Sequence, residues 1–210
     1  MLKKIFGTAA QRVVIPLGAA VGRAGITPNM ITIAGFLITV MTAVLIGRGR
    51  LMLGGVVLIA GSLLDMLDGA VARATGSGSK AGAFLDSTLD RLSDAAIFVG
   101  LIWFYASGAQ PAAAGAQAGV QDFEQNLSLG AGLALVNLVL SLMVSYVRAR
   151  AEGLGFTCDV GIAERPERIA LVCAGLILDL LIPALLVLAV ASAFTVAQRF
   201  VHVWRQAKAA

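Results

Sequence analysis

The chain has 210 residues, of which 59% are hydrophobic and only 13% charged, with a formal charge of +4. A soluble domain carries about 25% charged residues, so this chain cannot cover itself with polar surface and a bilayer is its natural solvent. That excludes an ordinary soluble domain, and no nucleic-acid partner is expected. Cys158 and Cys173 show no metal-ligand spacing and no disulfide framework, so they read as a loop thiol and a small hydrophobe.

Lys3 and Lys4 open the chain, but Gln11 and Arg12 interrupt the apolar core that a signal peptide needs, so no cleaved signal is expected. Residues 1–25 read instead as an interfacial amphipathic helix, its helical part over 3–23 turning Ile5, Phe6, Val13, Val14 and Leu17 to lipid. Six apolar segments follow, at 29–47, 51–74, 83–105, 128–151, 167–180 and 183–204. Most meet the ~20 residues needed to span a bilayer. The fifth is short and ends at Asp179 and Pro183, which suggests a tight turn; one merged helix is the alternative, and Pro183 argues against it.

With the N-terminus inside, 14 of the 16 Lys and Arg residues fall on that side, and only Arg48 and Arg50 on the other. This is a strong positive-inside bias. The 106–127 stretch is rich in Ala and Gly, has no basic residue, and should face out. The expected fold is an all-α integral membrane protein. It has six transmembrane helices over 29–204, preceded by the interfacial helix, in a single domain over 1–210. Both termini are cytoplasmic, and the expected location is the plasma membrane.

The chemistry concentrates where the second segment ends and the third begins. Asp65 and Asp68 are three apart, and Asp86 and Asp90 four apart. At roughly 100° per residue each pair lies on one helical face. The short Gly76-Ser77-Gly78-Ser79-Lys80 turn makes the two helices antiparallel neighbours, so both pairs converge near the cytoplasmic interface. Four carboxylates so close cannot all stay ionised without counter-charge. A divalent cation, or two, supplies it. Oxygen ligands favour Mg²⁺ or Mn²⁺ over zinc, and two such ions clamping a phosphate suit an in-line displacement. Gly69, Ala72 and Gly82 beside the aspartates give either clearance for a ligand or close helix packing.

The pattern Asp65-x2-Asp68-Gly69-x2-Ala72-Arg73-x8-Gly82-x3-Asp86-x3-Asp90 resembles the signature of the CDP-alcohol phosphotransferase family at every fixed position. The six-span layout is similar to that family's fold, so the likeness covers nearly the whole chain. The resemblance implies metal-ligand roles for Asp65, Asp68 and Asp86, and for Asp90 both a ligand and a general-base role. The base takes the proton of an acceptor hydroxyl, which attacks the β-phosphorus of a CDP-linked lipid and expels CMP. The resemblance also places Asn29, Thr32, Gly69, Ala72, Arg73, Ser79 and Gly82 at the CDP-lipid. Asp94, one turn beyond Asp90, lies outside the signature and takes no role.

A second cluster bears on the acceptor. Arg148 and Arg150 end the fourth segment, Arg165 and Arg168 open the fifth, and Arg199 closes the last. Singly, each reads equally as an anchor snorkelling to lipid phosphates. As a group they come from three helix ends expected around the same cytoplasmic mouth, with Glu152, Glu164 and Glu167 to hold the forks. Arginine forks match phosphate oxygens, which favours a phosphorylated acceptor over free serine, choline or inositol. The Arg-x-Arg-Ala-Glu and Glu-Arg-x-Glu-Arg stretches resemble the phosphatidylinositol-phosphate synthase branch and its archaeal ether-lipid counterparts. That implies inositol 1-phosphate as acceptor and a homodimer; glycerol 3-phosphate is the alternative. Cation transport is the reading from another class. It would want carboxylates spread through the bilayer depth, whereas these crowd one leaflet.

Overall fold

The structure, a computed structural model, describes residues 20–23, 25–108 and 120–209. The described residues form an all-helical chain of six long elements. These are α1 (Pro28–Gly47), α2 (Leu51–Thr75), α3 (Lys80–Ala106), α4 (Val120–Gly153), α5 (Arg165–Ile177) and α6 (Leu181–Ala209). The interfacial helix expected over 1–25 lies almost wholly outside them.

Each apolar segment became a helix, and the differences lie at the ends. α4 begins eight residues before the hydropathic run, because Val120–Leu127 contains no Gly or Pro to break a helix although it is polar. α6 likewise runs on to Ala209 through polar helix formers. Four helices are long and apolar enough to cross a membrane: α1, α2, residues 128–153 of α4, and α6. α3 is long enough but carries Lys80, Asp86, Asp90, Arg91 and Asp94. α5, at 13 residues, rises only about 20 Å, short of a hydrocarbon core of about 30 Å.

The chain divides into two compact units. The first holds residues up to Thr39 and Val57–Ser93. It contains the start of α1, the end of α2, the glycine-serine turn and the start of α3. Thr27 caps α1 from the N-cap position, its Oγ1 accepting the Met30 N–H at 3.4 Å, and Pro28 occupies the first helical position. Leu58, Ala70 and Val71 are fully buried in this unit.

The second unit holds Val40–Val56 and everything from Asp94 onward. Its α1–α2 turn is a Schellman closure. The Arg50 N–H donates to Leu45 O (2.9 Å) and the Gly49 N–H to Ile46 O (2.8 Å), with Gly49 at φ +75°, where a side chain would be strained. α6 packs against both α4 and α5. Small residues bring backbones together here: a Cβ on Gly100 would lie 2.6 Å from the Ala43 carbonyl oxygen. Leu101, Val144, Leu176, Leu185 and Leu188 form the core. The expected turn between the fifth and sixth segments is present. Leu180 N–H donates to Gly175 O, Asp179 takes φ +57°, and Pro183 falls in the first turn of α6, where a missing N–H costs nothing.

Candidate active site

Asp65, Asp68 and Asp86 each present a carboxylate oxygen, and the three oxygens lie within 4.8 Å of one another. The local sequence explains how. Asp65 and Asp68 share a face of α2 one turn apart, and α3 restarts after four residues. Its N-cap is Ser79, whose Oγ accepts the Gly82 N–H at 3.0 Å. The return is therefore tight, and Asp86 comes back beside the α2 pair. Asp68 is buried, and the Thr32 hydroxyl lies 2.7 Å from its Oδ2 and 3.1 Å from Pro28 O. The Gly69 N–H reaches its other oxygen. Three carboxylates at this separation, half-buried or buried, fit one divalent cation with oxygen ligands. Asp90 is one turn past Asp86 and outside this triad; its Oδ2 lies 4.0 Å from Arg91 Nη1.

Asp68 and Asp86 of the triad line a cleft of about 160 Å³, together with Pro28, Asn29, Thr32, Gly69, Ala72, Ser77, Gly78, Ser79, Gly82 and Ala83. Asn29, Thr32, Gly69, Ala72, Ser79 and Gly82 thus come together around one space. Arg73 is exposed on the same helix, with Nη1 3.4 Å from where a Gly69 Cβ would sit. A Cβ on Gly82 would lie 3.1 Å from Asn29 Oδ1 and 3.2 Å from Ser79 Oγ, so glycine keeps these two groups close. Ser77, Gly78 and Ala83 were not singled out by sequence. The turn joining the two halves of the signature was the available signal.

The five arginines of the expected acceptor cluster, Arg148, Arg150, Arg165, Arg168 and Arg199, divide into two kinds. Arg199 is 3% exposed, and its Nε donates to Val160 O (2.9 Å) and its Nη1 to Val144 O (2.6 Å). It ties α6 to α4 and to the 154–164 loop. Arg168 is 4% exposed, bonded to Asp94 Oδ2 (2.5 Å) and Ala163 O (3.2 Å). Arg148, Arg150 and Arg165 keep exposed surface. Arg148 Nε donates to Glu152 Oε1 at 2.8 Å and its Nη2 lies 3.6 Å from Asp159. Arg165 Nε lies 3.5 Å from Asp94 Oδ1.

The loop itself is built. Thr195 Oγ1 accepts the N–H groups of Ile162 and Ala163, and Gln206 clasps Thr157 through its N–H and carbonyl. Gly161 has φ +136°, and a Cβ there would meet Thr195 Cγ2 at 2.7 Å. Cys158 in this loop is 1% exposed. Burial pushes its thiol up, against the smaller opposing pull of Arg199 and Arg148. Both cysteines are free.

Residues 25–204 match the family described as CDP-alcohol phosphatidyltransferase. The chain belongs to that family. Among its relatives, phosphatidylinositol phosphate synthase of Mycobacteroides abscessus is 42% identical over 192 residues, covering 88% of this chain and 80% of the relative. Archaetidylinositol phosphate synthase of Methanothermobacter thermautotrophicus is 40% identical, covering 89% and 87%. The structure resembles Mycobacterium tuberculosis phosphatidylinositol phosphate synthase solved with CDP-DAG bound, with TM-score 0.77, 36% identity, and coverage of 92% of this chain and 94% of that one. The same protein solved with manganese and citrate also aligns with TM-score 0.77. As a CDP-alcohol phosphatidyltransferase the chain is a transferase of phospholipid biosynthesis. Three of the four signature aspartates, Asp65, Asp68 and Asp86, are brought together by the fold.

Proposed function

We propose that this enzyme transfers a phosphatidyl group from a CDP-linked lipid to inositol 1-phosphate, releasing CMP and forming phosphatidylinositol phosphate. The observation that carries the reading is the Asp65–Asp68–Asp86 triad beside the Asn29-to-Asp86 cleft; the names of the relatives favour the inositol phosphate acceptor over glycerol 3-phosphate.

Asp65, Asp68 and Asp86 hold Mg²⁺ or Mn²⁺, with Asp90 completing the set if two ions bind. A bound divalent cation offsets the carboxylates and neutralises charge on the CDP diphosphate. Asn29, Thr32, Gly69, Ala72, Ser79 and Gly82 accommodate the CDP portion, and Arg73 supplies a fork for its phosphates. Asp90 accepts the proton of the acceptor hydroxyl as that oxygen bonds to the β-phosphorus, and the bond from that phosphorus to the CMP oxygen breaks. Arg148, Arg150 and Arg165 grip the acceptor phosphate, while Arg168 and Arg199 hold the segments that carry them.

The enzyme sits in the plasma membrane as a homodimer of six-span chains, with termini and active site cytoplasmic. The charged face of α3 is then turned from lipid, and α5 crosses as a short span. The test gives purified protein CDP-diacylglycerol and Mg²⁺ and compares CMP release with inositol 1-phosphate, glycerol 3-phosphate, free inositol and serine. Inositol 1-phosphate should dominate. Faster release with glycerol 3-phosphate would move the enzyme to the other branch.

A further inference from the structure

Asp94 has no part in the chemistry above, yet the residue is 6% exposed in α3 and its carboxylate faces two guanidinium groups. Arg168 Nη2 donates to Oδ2 at 2.5 Å, and Arg165 Nε lies 3.5 Å from Oδ1. Each oxygen thus meets a different arginine. A buried ion pair is weak evidence for stability, because desolvation offsets much of the attraction and apolar packing of equal volume serves as well. Ionisable groups retained inside an apolar helical protein point to function.

The two arginines differ in what they can do. Arg168 is fully enclosed and also bonds Ala163 O, which secures the chain just before α5. Arg165 is the first residue of α5, and its side chain is 22% exposed. Its ion pair with Asp94, at 3.5 Å from Nε, draws the inner edge of the guanidinium toward α3 while the side chain keeps access to solvent. A guanidinium recognises phosphate through a rigid planar fork, so fixing that plane fixes what it can bind.

We propose that Asp94 is a positioning residue for acceptor recognition, orienting Arg165 toward the phosphate of inositol 1-phosphate. The proposal rests on the reading above in which Arg165 grips that phosphate.

The test measures two-substrate kinetics on the purified full-length enzyme in an Arg168→Met background. That background removes the buried cation that Asp94→Asn alone would leave uncompensated, and because it also takes from Asp94 its 2.5 Å partner, every comparison is made with the background and not with the native enzyme. Adding Asp94→Asn should raise the KM for inositol 1-phosphate about tenfold, with the KM for CDP-diacylglycerol and kcat within about twofold of the background. With Arg165→Ala also present, Asp94→Asn should change nothing further, because the two act as one unit. Asp94→Glu in the otherwise native enzyme keeps the charge balance and should show the same selectivity with a smaller rise. Equal losses in both KM values and kcat, or the same factor with Arg165 absent, would make Asp94 structural only and overturn the proposal. If Arg165→Ala leaves the acceptor KM unchanged, the arginine reading itself falls and this proposal with it. If Arg165→Ala raises that KM but Asp94→Asn does not, only the role of Asp94 falls.

Discussion

The aspartate region and the arginine region solve opposite problems of charge. Around Asp65, Asp68 and Asp86 carboxylates are gathered within 4.8 Å, a repulsion that a divalent cation would relieve. Around Asp94, Arg165 and Arg168 opposite charges are already paired inside the protein. The first region is suited to taking up a cation. The second is largely satisfied, so under the proposed function its contact with the acceptor falls to the arginines that keep exposed surface. Reaction type and acceptor choice should therefore respond to different perturbations.

The largest effect should come from the aspartates. Chelating divalent ions should abolish CMP release, and Mg²⁺ or Mn²⁺ should restore it; activity persisting in excess chelator would remove the metal from the account. Asp90→Asn should lower kcat by roughly 10³-fold, within the range for losing a general base, while binding of CDP-diacylglycerol persists.

A smaller and selective effect belongs to the arginines. Arg148→Ala, Arg150→Ala and Arg165→Ala should each raise the KM for inositol 1-phosphate about tenfold, the loss of one charge-assisted contact. Arg199→Met should act differently. It removes two hydrogen bonds from a charged donor, to Val144 O and Val160 O, at about 1.5–3 kcal/mol each, and should appear as a lower Tm. Thr32→Val removes the hydroxyl on Asp68 and should weaken Mg²⁺ activation several-fold, for about 1 kcal/mol. Least of all, Cys158 should label slowly with thiol reagents near neutral pH. It is buried, and its raised pKa keeps the unreactive thiol form to higher pH than usual.

The helices and the aspartate triad were legible in the sequence because both rest on local spacing. Apolar runs report contact with lipid, and an i,i+3 pair reports one helical face. What hydropathy could not see was helix continuing through a polar stretch, such as 120–127 at the start of α4. Nor could it separate the arginines. Arg168 and Arg199 look like Arg148 and Arg165 in sequence, and only their partners distinguish them. Arg168 meets Asp94 from 74 positions away, and Arg199 meets carbonyls 39 and 55 positions away. Asp94 lay one turn past the signature, and its meaning depended on those distant arginines. Ser79 shows a further limit. Its Oγ caps α3 as well as lining the cleft, a dual use that spacing alone does not reveal.

The division of labour between the two regions is tested most directly by two-substrate steady-state kinetics of Asp90→Asn beside Arg165→Ala. The account predicts that Asp90→Asn loses kcat with both KM values kept, whereas Arg165→Ala raises the KM for inositol 1-phosphate alone. Near-normal turnover in Asp90→Asn, or equal rises in both KM values for Arg165→Ala, would contradict it.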